Sequence, residues 1–366
     1  MTADVTRRQV LAFRVAAQQL DRDRGTLDDT AVLDIGVQDT GPDGGLWALA
    51  IRGVDVAGLS GGELATVWTI RGAPHLYRHA DLPAVVAATA PFSEDDAGSR
   101  IYDAAKPLKA AGIGNFAALD AVAAAMRSVV SAPMVKGEVS TRVTRLMDEP
   151  YLRWCRSCAA THLYEMPFRL AALRAGLELQ AGTSPPVLQP VPGLAPADAV
   201  PERLDVVRCY LRLLGPATPK HVAGYLDAPV KDVRARWPED AVEVTVDGET
   251  RWVLADDAGR LEAEPPRVTR LLGPFDLFLQ ARDRSLLVER PEQAKALWPV
   301  LGRPGGVLVD GEVVGTWRPR KSGAALGVAV ELWTAETPEL RAAIAEQAER
   351  LAAFRQVRLK GVDIAG

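Results

Sequence analysis

No apolar run in this chain approaches the ~18 residues that a membrane-spanning helix needs, so no such span is expected. Residues 1–8 lack a basic-then-apolar signal pattern, so nothing directs export. Cysteine is scarce: three residues are too few, and odd in number, for a disulfide framework, which fits a reducing cytoplasm. A net positive charge is also missing. The formal charge is −4, whereas a nucleic-acid binder usually carries a basic face, because phosphate neutralisation supplies most non-specific affinity. That leaves room for a local basic groove. Arg267, Arg270, Arg282, Arg284 and Arg290 cluster, as do Arg318, Arg320 and Lys321, while acidic residues concentrate in 21–29 and 238–257. A charge run is most often a solvated face, so the patches are candidates only. No Gly-rich phosphate loop, nucleophile elbow or two-His metal helix occurs, which leaves kinase, helicase, dehydrogenase and hydrolase readings based on those motifs without support.

What is present is ordinary for a globular protein: 48% hydrophobic and 25% charged residues over 366 positions, enough for two to four small domains. Hydrophobic periodicity predicts an amphipathic helix over 6–20, with Thr6 as its N-cap. Further helices are expected over 29–38 and 61–66, then a strand through Val67, Thr69 and Arg71 that Pro74 confines to an edge or bulge. Helix, helix, helix and hairpin is the winged-helix order. Residues 99–180 read as mostly helical: 116–130, 136–147, 151–161 and 166–177. A strand over 187–191 lies in a proline-rich linker or wing.

A later unit repeats the pattern. Helices are expected over 201–213, 219–226 (capped by Thr218) and 229–237, followed by strands 242–246 and 250–254 around Asp247-Gly248. Period-two alternation around Asp-Gly is a strong hairpin signal. A second such hairpin flanks Asp310-Gly311, a strand follows over 326–332, and a long helix over 338–354 follows that. The expected fold class is therefore α+β, with tandem winged-helix domains and a C-terminal β-rich, barrel-like domain. The expected domains are 1–97, 98–198, 199–262 and 263–366.

Several residues stand out chemically. Leu33, Ile35 and Val37 lead an apolar approach into Gln38, Asp39 and Thr40 and a Gly41-Pro42 turn, which looks like a site although such residues also make ordinary turns. A glutamine amide both donates and accepts, so Gln38 can hold a water and a sugar oxygen together. Adjacent side chains in a turn need not face the same way, so Asp39 and Gln38 could point apart. His75 is a candidate, though a lone His on a strand is more often structural; Arg71 on the same strand could meet a phosphate. Lys220, at a helix N-terminus, is a natural phosphate contact or simply a solvated lysine. Asp276 and Asp283 near Arg282 and Arg284 suggest paired charges, and Arg318, after a hairpin strand, is the better DNA candidate. Cys155, Cys158 and His162 have the spacing of part of a zinc site. The segment reads as helical and core-like, however, and Cys209 falls in another expected domain, so no metal and no cofactor are expected.

The runs Gly45-Leu46-Trp47-Ala48-Leu49-Ala50-Ile51-Arg52 and Trp68-Thr69-Ile70-Arg71-Gly72-Ala73-Pro74-His75-Leu76-Tyr77 resemble the bacterial winged-helix DNA glycosylases of the AlkZ/YcaQ type. The stretch from Phe275 to Arg284 and Gly315-Thr316-Trp317-Arg318 resemble the C-terminal signatures of that family. The resemblance spans about residues 10–333. It implies a DNA glycosylase acting on alkylated, N7-substituted purines or unhooking crosslinks in damaged duplex DNA, as a cytoplasmic monomer. The family's catalytic pair is a glutamine, an apolar residue and a second glutamine or an aspartate. Here Gln38 matches, but Asp39 takes the middle position and Thr40 the last. Threonine can hold a water but is not a general base unaided. Either Asp39 or another carboxylate supplies the charge, or the activity is altered or lost. The resemblance thus implies Gln38, Asp39 and Thr40 as the catalytic group, with Arg71, His75, Lys220, Arg282, Arg284 and Arg318 toward substrate and DNA. The alternatives are a non-catalytic winged-helix DNA-binding or regulatory protein, and a protein-binding role that the acidic charge would suit.

Overall fold

A computed structural model describes residues 3–41, 43–322 and 324–365. Pro42 of the expected Gly-Pro turn lies outside the described residues, as do Met1, Thr2, Gly323, Gly366 and the side chain of Lys321 from the basic cluster. The fold is mixed α+β and divides into two units: Met1–Ser60 with Arg208–His221 and Pro238–Gly366, and Gly61–Val207 with Val222–Trp237. No single helix among the described residues is long and apolar enough to cross a membrane.

The first unit begins with a helix that its sequence caps at once. Gln9 lies three residues after Thr6, and both capping-box bonds form: the Gln9 N–H donates to Thr6 Oγ1 (3.3 Å) and the Thr6 N–H to Gln9 Oε1 (2.9 Å). Such a cap contributes about 1 kcal/mol. The helix Arg7–Ala17 buries Val10, Leu11, Phe13 and Val15, and also Arg14. A buried guanidinium is tolerated only when paired. Arg14 donates twice to Asp283 (3.0 and 2.7 Å), and Arg251 donates to the same carboxylate at 2.5 Å. Burial pushes the Asp283 carboxyl up, but Arg14 and Arg251 outweigh it and hold it below its ordinary range.

Both Asp-Gly hairpins form. Asp247 and Gly248 take φ of 50° and 77°, and Asp310 and Gly311 take 51° and 91°, the left-handed pair that a two-residue hairpin turn requires. The first joins Ala241–Val246 to Glu249–Leu254, and Ala3–Val5 adds a parallel strand. The second joins Gly305–Val309 to Glu312–Ser322 inside a sheet ordered Thr269–Leu272, Gly305–Val309, Glu312–Ser322, Ala325–Leu332, Arg358–Ala365. This C-terminal sheet curls, and a bulge at Val307/Leu308 bends its centre. The helix Pro338–Phe354, capped by Thr337 to the Leu340 N–H (3.2 Å), packs against the sheet.

In the second unit, strands run in the order Pro74–Arg78, Leu64–Trp68, Leu177–Leu179, Val187–Pro190, Met134–Val135. Helices Glu94–Ile101, Asn115–Val129 and Glu165–Arg174 cover a core of Trp68, Ile101, Leu119, Val122, Met126 and Phe168. Pro74 opens its strand, where its missing N–H costs least.

Three expected helices are corrected. Residues 29–38 hold only a 3-10 turn, Ala31–Asp34, and the short strand Val37–Gln38, because Leu33, Ile35 and Val37 alternate with period two. Residues 61–66 open the strand Leu64–Trp68. Residues 151–161 form most of a hairpin, Leu152–Cys155 paired with Ala160–Leu163.

Candidate active site

The Gln38 segment is anchored from below. Val32, Leu33, Ile35 and Val37 are each no more than 2% exposed, and Gly36 takes φ +90°, a turn conformation that L side chains resist. With Val37 turned inward, strand alternation turns Gln38 outward. The Gln38 Nε2 donates to the Thr40 hydroxyl at 3.1 Å. Asp39, between them, faces elsewhere: its Oδ1 accepts the Gly45 N–H at 2.8 Å, in the first turn of the helix Gly44–Ala50. Burial raises the Asp39 carboxyl above its ordinary range, against the lowering effect of the Gly45 hydrogen bond. Gly44 is required here. At φ +46°, a Cβ would lie 1.9 Å from Asp39 Oδ1.

Gln38 and Thr40 line a cavity of about 500 Å³; Asp39 does not. The cavity is within the usual size of small-molecule sites. The facing wall comes from far along the chain: Pro274, Phe275, Arg303, Trp317 and Arg318. Trp317 is held by its indole N–H donating to the Leu272 carbonyl at 2.8 Å, and the Arg303 guanidinium sits 4.8 Å over the Phe275 ring. Gly305 lets this happen, since a Cβ there would lie 2.2 Å from Trp317 Nε1. A buried ion pair braces the two walls. Arg52 donates to Asp276 at 2.8 and 3.0 Å and to the Ala48 carbonyl at 2.7 Å, with no exposed side-chain surface on either partner. Asp43, also on the lining, is engaged by Arg355 at 2.5 Å.

The other expected site residues are placed as follows. Arg318 is exposed on the cavity rim. Lys220 is exposed in the first turn of Pro219–Leu226, where Thr218 Oγ1 accepts the His221 N–H at 3.3 Å, as its sequence predicts. Arg284 is exposed with its guanidinium 4.7 Å over Trp298, and Arg282 is half-buried. Asp276 and Asp283 pair with Arg52 and with Arg14 and Arg251, which corrects the expected local pairing with Arg282 and Arg284.

Arg71 and His75 belong to the second unit. Arg71 donates to the Tyr225 carbonyl and lies 4.8 Å over that ring. His75 is wholly buried, with Nδ1 2.9 Å from the Ala73 carbonyl and 3.0 Å from the Thr69 hydroxyl. Burial, and then the Arg71 charge, push its pKa down to about 3, so it is a neutral imidazole at physiological pH.

Sequence reasoning missed Asp43 and Arg303. The signal was present in the turn clusters Gly273-Pro274 and Gly302-Arg303-Pro304-Gly305, but nothing local says that they face Gln38.

A family model of the AlkZ-like DNA glycosylases matches residues 36–354, a span that opens just before Gln38. The chain belongs to the AlkZ-like family. Membership sets it among the DNA glycosylases of DNA repair, with DNA as the substrate class. A solved structure, the DNA glycosylase AlkZ of Streptomyces sahachiroi, is similar at a TM-score of 0.74, with 22% identity over 100% of both chains. At that identity the likeness carries the fold. No curated protein matches the chain.

Proposed function

We propose that this AlkZ-like chain hydrolyses the N-glycosidic bond of N7-alkylated purines in damaged duplex DNA, crosslinked purines included, at the cavity wall formed by Gln38 and Thr40. The observation that carries the reading is the pairing of these two side chains on a cavity of about 500 Å³ faced by Phe275 and Trp317. Base excision passes through an oxocarbenium-like sugar, behind which a water must be held. Gln38 and Thr40 orient that water. Asp39, turned to the Gly45 N–H, supplies negative charge from beneath without touching it. N7-alkylation makes the base a cationic, ready leaving group, so a strong general base at position 40 is not required. Arg318 on the rim, with Lys220, Arg282 and Arg284, neutralises phosphates and gives an acidic protein a local basic track. Arg71 and His75, in the other unit, take no step in this reaction.

The chain order Val206–Leu214, Pro219–Leu226, Val230–Arg234 and then the hairpin Ala241–Val246/Glu249–Leu254 supports a winged helix over 199–262. The segments 1–97, 98–198 and 263–366 complete the proposed division, and the protein acts as a monomer.

The test is free-base release from duplex DNA bearing N7-methylguanine, with wild type beside Gln38→Ala. Release above the spontaneous rate, falling by roughly 10²-fold in the variant while DNA binding persists, is the expected result. A second reading rests on Asp39, the carboxylate between Gln38 and Thr40, being engaged by Gly45: a protein that binds lesions without excising them. Salt-sensitive binding with no release from methylated or crosslinked DNA would select it.

A further inference from the structure

Cys155, Cys158 and His162 have no part in the proposed base excision, and they do not lie where their sequence suggests. They lie on an exposed hairpin, not in a helical core. Their ligand atoms, one from each residue, all lie within 4.8 Å of one another. The register explains why. Arg153 pairs with His162 across the hairpin, and Cys155 is two residues along from Arg153, so Cys155 and His162 are diagonal neighbours on one face. The turn after Cys155, with Ala159 in the left-handed region at φ 49°, brings Cys158 back beside them. Cys-x2-Cys on a turn, with a histidine on the returning strand, supplies three of the four ligands of a tetrahedral zinc site.

Two further contacts orient the ligands as a metal would need. His162 Nδ1 donates to the Leu163 carbonyl at 2.8 Å, which fixes the tautomer and leaves Nε2 with its lone pair for a metal. The Ser157 hydroxyl lies 3.1 Å from Cys155 Sγ and 4.0 Å from Cys158 Sγ, placed to donate to a coordinated thiolate. A set of two sulfurs and one imidazole rejects magnesium and calcium, which take oxygen, and suits a borderline-soft ion.

We propose that Cys155, Cys158 and His162 bind one Zn²⁺, with water in the fourth tetrahedral position. The ion ties the turn that carries Arg156, next to the strand residue Trp154, which is 63% exposed. The site is built from one hairpin alone, so it stands whether or not the chain excises bases.

The test uses the full chain under argon with a phosphine reductant, after a thiol titration has counted three free thiols per unfolded chain. Titration with Co²⁺ is expected to saturate at one equivalent, with the visible bands of a tetrahedral ion and a thiolate charge-transfer band. Zn²⁺ should bleach both. Cys155→Ala and Cys158→Ala should abolish the charge-transfer band's saturation at one equivalent, and Cys209→Ala should leave it intact. Tryptic cleavage after Arg156 should slow on adding Zn²⁺ in wild type and not in the Cys155 and Cys158 variants. A reduced protein that gives no thiolate–cobalt band, or one whose band survives Cys155→Ala, would overturn the proposal. So would Zn²⁺-independent cleavage at Arg156.

Discussion

The amide of Gln38 donates to the hydroxyl of Thr40 across 3.1 Å, while the residue between them turns its carboxylate the other way. With its oxygen already accepting, the Thr40 hydroxyl has a hydrogen left to give, and Gln38 keeps its carbonyl oxygen for a water. The pair is thus an orienting device, and its value should depend on the hydroxyl at position 40. Thr40→Ser should retain base release near wild type, and Thr40→Val should lose roughly tenfold, the kinetic equivalent of one hydrogen bond. Equal rates for the two variants would remove Thr40 from the mechanism.

Asp39 should carry a cost in stability. Its carboxyl is raised by burial, so the folded state holds the proton more tightly than the unfolded chain, whose value is near 3.8. Stability from this group is therefore greatest at acid pH and is lost as pH rises from 3.8 through the raised folded value. Asp39→Asn keeps an acceptor for the Gly45 N–H and removes the charge. Above that window it should melt higher than wild type, with the gap closing in acid, while base release falls. An unchanged melting curve at neutral pH would contradict the burial argument.

His75 works in the opposite sense. Its folded pKa of about 3 lies below the unfolded value of 6.5, so its contribution is complete above 6.5 and drains away as pH falls toward 3. The loss amounts to several kcal/mol, since each pKa unit is about 1.4 kcal/mol. His75→Gln, which cannot protonate, should flatten the acid side of the stability profile in urea titrations between pH 4 and 7. A profile as steep as wild type would assign acid unfolding to other groups.

Asp276→Ala should be the most damaging of these substitutions, because it strands Arg52 fully buried without its partner. The expected loss is about 3–5 kcal/mol of unfolding free energy in denaturant titrations, with base release falling as the Phe275 wall loosens. The double change Arg52→Met with Asp276→Leu should recover most of the stability. If the double variant is no better than the single, the damage lies in packing rather than in an uncompensated charge.

What was legible in the sequence was what local chemistry decides. Thr6 as an N-cap, Thr218 before its helix, and both Asp-Gly pairs act within four residues, and each appears where expected. The 152–163 hairpin was missed because Ala159 and Ala160 favour helix, and only cross-strand pairing, invisible in one strand, overrides that preference. Gln38 could be singled out from its setting, but its cavity could not. Phe275, Arg303 and Trp317 stand more than 200 positions away, and long-range contacts leave no periodic trace. For the same reason Asp276 was matched with arginines nearby in sequence, when its partner is Arg52.

The first unit is discontinuous, and this bears on how the chain emerges from the ribosome. Residues 1–60 carry Arg14, Arg52 and Gln38, yet their partners Asp283 and Asp276 are made more than 200 residues later. The intervening unit has nearly all of its own core by then and is free to condense during synthesis. The segment with Gln38 is therefore translated before the intervening unit and seated only after it. Leu33, Ile35 and Val37, buried in the finished fold, lack their cover in the interval and are the stretch that a holdase would be expected to shield.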